Sequence, residues 1–122
     1  MNVYLAKLIN FALNSHMENK ICMIYVTFPN KESAMNIAKY LISNKLAACC
    51  NIFPSMTSIY EWNSQIELSE EFVMIIKTTD IHFKKIENYI SENHPYEIPC
   101  IINLSQGTVN EKYFQWMLNT LT

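Results

Sequence analysis

The densest group of chemically able side chains is His94-Pro95-Tyr96-Glu97-Ile98-Pro99: an imidazole, a phenol and a carboxylate held among prolines that stiffen the backbone. Preorganised polar groups on a stiff loop suit ligand binding. The same residues also suit a structural corner in which His94 caps a helix and Tyr96 packs at an interface. Lys77 ends a continuous apolar run, where a cation must reach solvent, a carboxylate or an anion. The thiols are Cys22, Cys49, Cys50 and Cys100. Cys49 and Cys50 are neighbours on an extended segment and point to opposite faces, while Cys22 and Cys100 fall near opposite ends of the sheet, so neither a disulfide nor a four-thiolate site follows. They read as small buried hydrophobes in a reducing cytosol. A thiolate facing a histidine across a subunit boundary would favour Cu(I) or zinc. His16 and His82 read as solvated.

Several reaction classes lack their parts. A single glycine leaves no phosphate-cradling loop, and no Gly-x-Ser-x-Gly, His-Glu-x-x-His or Cys-x-x-Cys occurs, so the chain reads as a binding protein without catalytic residues. Without arginine, and with a net charge of -2, it has no basic stripe for nucleic acid. No apolar run reaches the roughly 20 residues of a membrane span, so no stable membrane insertion is expected. Only 16% of residues are charged, against about 25% in an ordinary soluble domain. Apolar surface is left over, which points to an oligomer.

The elements that must position these groups follow from periodicity. Ile21–Phe28 is continuously apolar and suits a strand covered on both faces. Asn30 can cap a helix carrying Ala34, Ile37, Ala38, Leu41 and Ile42 on one face, closed at Ser43-Asn44. Leu46–Trp62 reads as a long strand in which Ile52, Met56, Tyr60 and Trp62 share one parity; Pro54 places it at a sheet edge with a bulge. Asn63-Ser64 is a two-residue turn candidate, and Gln65–Thr78 is the strand that returns. Asp80 can cap a second helix that His94-Pro95 ends, Cys100–Leu104 is a short edge strand, and Gly107 and Asn110 open a last helix.

This order gives an α+β, ferredoxin-like split βαβ fold: a four-stranded antiparallel sheet, order 4-1-3-2, with helices on one face, a long hairpin between strands two and three, and a C-terminal helix. The domain spans 20–122. Residues 1–19 form an extension in which Tyr4, Leu5, Leu8, Ile9, Ala12 and Leu13 mark one helical stripe. A compact chain of this length is about 35 Å across, whereas hairpin arms of about 13 residues run roughly 43 Å. The hairpin should overhang its domain, with Trp62 covered by a neighbouring subunit.

Lys45-Leu46-Ala47-Ala48-Cys49, then Thr57-Ser58-Ile59-Tyr60-Glu61-Trp62, Ile75-Ile76-Lys77-Thr78, His94-Pro95-Tyr96-Glu97-Ile98-Pro99 and Tyr113-Phe114-Gln115-Trp116 closely resemble the CutA-type divalent-cation tolerance proteins, over residues 21–121. The thiols point to a cytoplasmic protein, and the resemblance implies a tight homotrimer, similar to the PII-type signalling trimers, with a role in tolerance to copper and other divalent metals. Where relatives with a proposed copper site hold a cysteine and a second histidine, this chain has Val26 and Asn93, leaving His94. The site expected on this basis is an intersubunit cleft with Tyr60, Trp62, Lys77 and Tyr96. It would bind a small ligand or, weakly, a copper or zinc ion through His94 with Glu97 or Cys49. The alternative is a PII-like signalling or scaffold trimer that binds a small anion near Lys77 or an unknown partner protein at its hairpin.

Overall fold

In the computed structural model the described residues are 3, 5, 20–104 and 107–122. Apart from Val3 and Leu5, the helix expected over 1–19 lies outside them, as does His16. Strands β1 (Ile21–Phe28), β2 (Cys49–Trp62), β3 (Gln65–Thr79) and β4 (Ile101–Asn103) form one antiparallel sheet in the order β2-β3-β1-β4. This is the expected topology, with the apolar strands inside and the proline-associated strands at the edges. Helices α1 (Lys31–Ser43), α2 (Phe83–Asn93) and α3 (Glu111–Leu121) complete the fold.

The core lies between the sheet and the first two helices. Even-numbered residues of the central strands, Cys22, Ile24, Val26, Met74 and Ile76 among them, are buried against Ala34, Ile37 and Leu41 of α1 and Ile86 and Ile90 of α2. Tyr40 and Tyr89 stack at 3.7 Å and nearly parallel, joining the outer parts of the two helices. Asn30 caps α1 as expected, its side chain accepting from the Ser33 N–H at 2.8 Å, and Asn110 caps α3 through the Tyr113 N–H.

Asp80 departs from expectation. It opens a short 3₁₀ turn, and its carboxylate accepts from the Lys20 backbone N–H, so α2 starts at Phe83 without a side-chain cap. His82, at that junction, is partly buried rather than solvated. The third helix also departs from the one-face arrangement. Lys77 lies opposite in parity to Ile76, and its Nζ sits 5.6 Å from the centre of the Tyr113 ring. Helix α3 therefore takes the other face at this end, where it buries Met117 and Leu118 apart from the main core.

The hairpin has the expected turn and bulge. Asn63 and Ser64 both take positive φ, 51° and 64°, between the paired Trp62 and Gln65. Ser55 also takes positive φ, and the register slips between Phe53 and Met56. That extra residue overturns the shared parity of Ile52 and Met56: Ile52 pairs with Met74 on the core side, whereas Met56 pairs with Glu71 on the open side. Because β3 meets β1 only from Phe72 onward, residues 65–71 project beyond β1, and among the described residues β2 is the only strand beside them. Seven residues correspond to about 23 Å of unsupported ribbon.

Candidate functional site

The loop after α2 folds back on the sheet through His94. Its backbone N–H donates to Ile90 O at 2.8 Å, closing the helix. The ring stacks on Phe28 at 4.5 Å, and Nε2 lies 2.7 Å from Thr27 O. The Tyr96 N–H donates to Nδ1 at 2.9 Å. An amide nitrogen can only donate, so Nδ1 accepts and Nε2 carries the proton that Thr27 receives. This arrangement uses the neutral imidazole, and burial, the largest influence, holds its pKa below the usual histidine value.

With its orientation fixed in this way, the loop sends Tyr96 across the open face of the sheet, where its hydroxyl donates to Glu71 Oε2 at 2.9 Å. Burial, then the hydrogen bond and charge of Glu71, push the phenol up to about 12. Glu71 sits where β3 leaves β1 and is only 8% exposed. On the same face Tyr25 donates to Met56 Sδ at 3.5 Å. Burial raises both the Tyr25 phenol and the Cys100 thiol, and the Glu71 charge adds to each.

Tyr96 and Glu71 border a cavity of about 720 Å³ at the root of the hairpin. Its chemical lining is Tyr60, Trp62, Tyr96 and three carboxylates, Glu67, Glu71 and Glu97. The bulge makes this possible, because only after the added residue do Tyr60 and Trp62 share a face with Glu67 and Glu71.

The sequence-derived site is thus divided. Tyr60, Trp62, Tyr96 and Glu97 come together at the cavity. Lys77 does not: six residues along β3 put it about 20 Å from Glu71, beside Tyr113. Cys49 pairs with Lys77 and shares that distant end. His94, 9% exposed, supports the loop from behind with both ring nitrogens already engaged, so it offers no free lone pair. Within one chain, the ligand set of His94 with Cys49 therefore does not assemble; the register separates the residues and the hydrogen bonds occupy the ring. Among the described residues, no group of three or more His, Cys, Asp or Glu side chains could hold a metal ion. Sequence reasoning missed Glu71 and Glu67. Their alternation in Gln65–Glu71 was visible, but the face they share with Tyr96 depends on the bulge. Cys50 points into the core, and burial first, then Cys49, raises its thiol to about 12.

A family model described as CutA1 divalent ion tolerance protein matches residues 22–120. The chain is 37% identical to the divalent-cation tolerance protein CutA of Thermus thermophilus, over 78% of this chain and 92% of that protein. It is 35% identical to the chloroplastic protein CutA of Arabidopsis thaliana over 80% of this chain, but spans only 54% of that protein. Among solved structures, CutA1 from Ehrlichia chaffeensis superposes with a TM-score of 0.82 at 36% identity, covering 86% of this chain and 98% of that one. The periplasmic divalent cation tolerance protein CutA from Archaeoglobus fulgidus gives 0.81 at 36% identity, covering 84% and 100%. Among the described residues, no helix is long and apolar enough to cross a membrane.

Proposed function

Since the chain belongs to the CutA1 divalent ion tolerance family, we propose that it acts without catalysis, as a homotrimer in metal-ion homeostasis, and that the cavity at the hairpin root is a binding cleft completed between subunits. The observation that carries this reading is the projecting ribbon. Ile59, Trp62, Ile66 and Leu68 are 68%, 60%, 75% and 65% exposed, on an arm that has no third strand beside it among the described residues. An extended apolar ribbon of this kind needs a covering partner, and a further copy of the chain is the simplest one. Binding rather than catalysis suits the cleft, since the one imidazole beside it is committed to holding the loop. None of Cys22, Cys49, Cys50 and Cys100 forms a disulfide, as suits a reducing cytoplasm.

Sedimentation equilibrium at micromolar concentration tests the assembly. The expected species has three times the 14.3 kDa chain mass, and the double substitution Ile66→Lys, Leu68→Glu reduces it to one. A wild-type monomer would overturn the reading.

A further inference from the structure

The cavity at the hairpin root has a lining that selects among ligand classes. We propose that it receives a small organic cation, an ammonium or guanidinium group on an apolar body, with the charge at Glu71 and the body against Tyr60, Trp62 and Tyr96. The inference deepens the cleft reading and rests on it for the shape of the closed site.

Glu71 is the most buried charge in the lining. A carboxylate nine-tenths buried is ordinarily paired with a cation. Here Oε2 accepts one phenol hydrogen, and among the described residues Oε1 accepts none. The only ion pair among those residues, Lys84–Glu87, lies on α2. Glu67 and Glu97 add negative charge to the same walls, and no lysine or histidine lines them. Burial first, and then Glu71, raise both the phenol of Tyr96 and the thiol of Cys100. An anion would meet like charge there and no cation among the lining residues.

Size and wall chemistry then separate an organic cation from a metal ion. A volume of about 720 Å³ falls within the range of small-molecule sites, about 300–1,000 Å³, and far exceeds one ion with its inner waters, each about 30 Å³. The carboxylates do not converge as a metal-ligand group. Three aromatic rings offer π faces, which attract ammonium and guanidinium groups whose apolar bodies also gain from burial. Lys77 beside Tyr113 shows the same pairing built within the chain.

Calorimetric titration of the assembled wild-type protein in an amine-free buffer tests the inference, with benzylammonium as probe, benzyl alcohol as its neutral counterpart, and zinc, copper and inorganic phosphate as the competing classes. Benzylammonium is expected to bind at least tenfold more tightly than benzyl alcohol, and Glu71→Gln to remove at least tenfold of that affinity. Trp62→Ala, at an exposed position that the monomer fold does not need, should weaken binding severalfold. Equal isotherms for wild type and Glu71→Gln, or heat from zinc, copper or phosphate with none from benzylammonium, would overturn the proposal. Sedimentation of the same samples separates the two readings. A trimer that ignores benzylammonium removes the cation alone, and a monomer that binds it removes the assembly alone.

Discussion

One face of β3 carries two opposite charges, Lys77 and Glu71, and the fold treats them differently. At the Lys77 end, α3 lies over the strand and Tyr113 gives the ammonium an aromatic partner from within the chain. Main-chain and side-chain bonds close the same end: Thr78 Oγ1 donates to Leu46 O at 2.6 Å, and Ala48 N–H donates to Lys77 O at 2.9 Å. At the Glu71 end the described residues supply walls but no counter-charge, and among them nothing packs against the apolar surface of the ribbon beyond it. One end is complete within a single chain and the other is not. The difference shows where to look for function: in the end whose charge and apolar area call for something further.

The strongest way to break this contrast is to remove packing from each end in turn. Ile76→Ala, in the closed core, should cost about 2–5 kcal/mol in urea unfolding, with a loss independent of protein concentration. Leu68→Ala should give a loss that grows on dilution, as for a residue whose burial depends on assembly. Concentration-independent losses of similar size at both positions would erase the distinction.

His94 ties the loop at the Glu71 end to the closed core through Thr27 and Phe28, and its effect should be intermediate. His94→Ala strips Thr27 O and the Tyr96 N–H of their partner, at a cost of about 1–3 kcal/mol. The wild type should also lose stability as pH falls. The folded-state pKa of His94 is depressed, so below the unfolded-state value of about 6.5 the unfolded chain takes up the proton first, and stability declines until the folded-state pKa is passed. His82 shifts in the same direction, through burial and then Lys85, so the comparison belongs on a His82→Gln background. An unchanged slope between pH 7 and 5 after adding His94→Ala would remove the neutral-imidazole bond from the account.

What was legible in the chain follows from which signals are local. The interior position of β1 and β3 shows in runs of apolar residues, because burial on both faces removes alternation. Asn30, Pro54 and Asn63-Ser64 act on their own backbone, so the cap, the bulge and the turn could be placed from type alone. The site was harder. Whether Tyr60 faces Glu67 or turns away depends on one residue gained at Ser55, and no composition signal gives the size of a bulge. His94 and Cys49 each look like ligands, yet only the register shows one behind the loop and the other beside Lys77. Lys77 looked available to an anion because its partner Tyr113 is 36 residues away in sequence.

The smallest effect concerns the turn. Ser64 holds φ at 64°, a region that costs an L-residue about 1 kcal/mol or more and glycine little. Ser64→Gly should therefore raise the thermal midpoint slightly, consistent with a gain of about 1 kcal/mol. A lowered midpoint would show that the projecting turn is not held in this conformation.

The most direct test of the incomplete end uses its tryptophan. With Trp116→Phe, Trp62 is the sole indole, and in a single chain it is 60% exposed. Acrylamide quenching at micromolar concentration should show Trp62 shielded, with blue-shifted emission, and the shielding should disappear when Ile66→Lys and Leu68→Glu are added. Full quenching with a water-exposed spectrum in the undisturbed assembly would contradict the account.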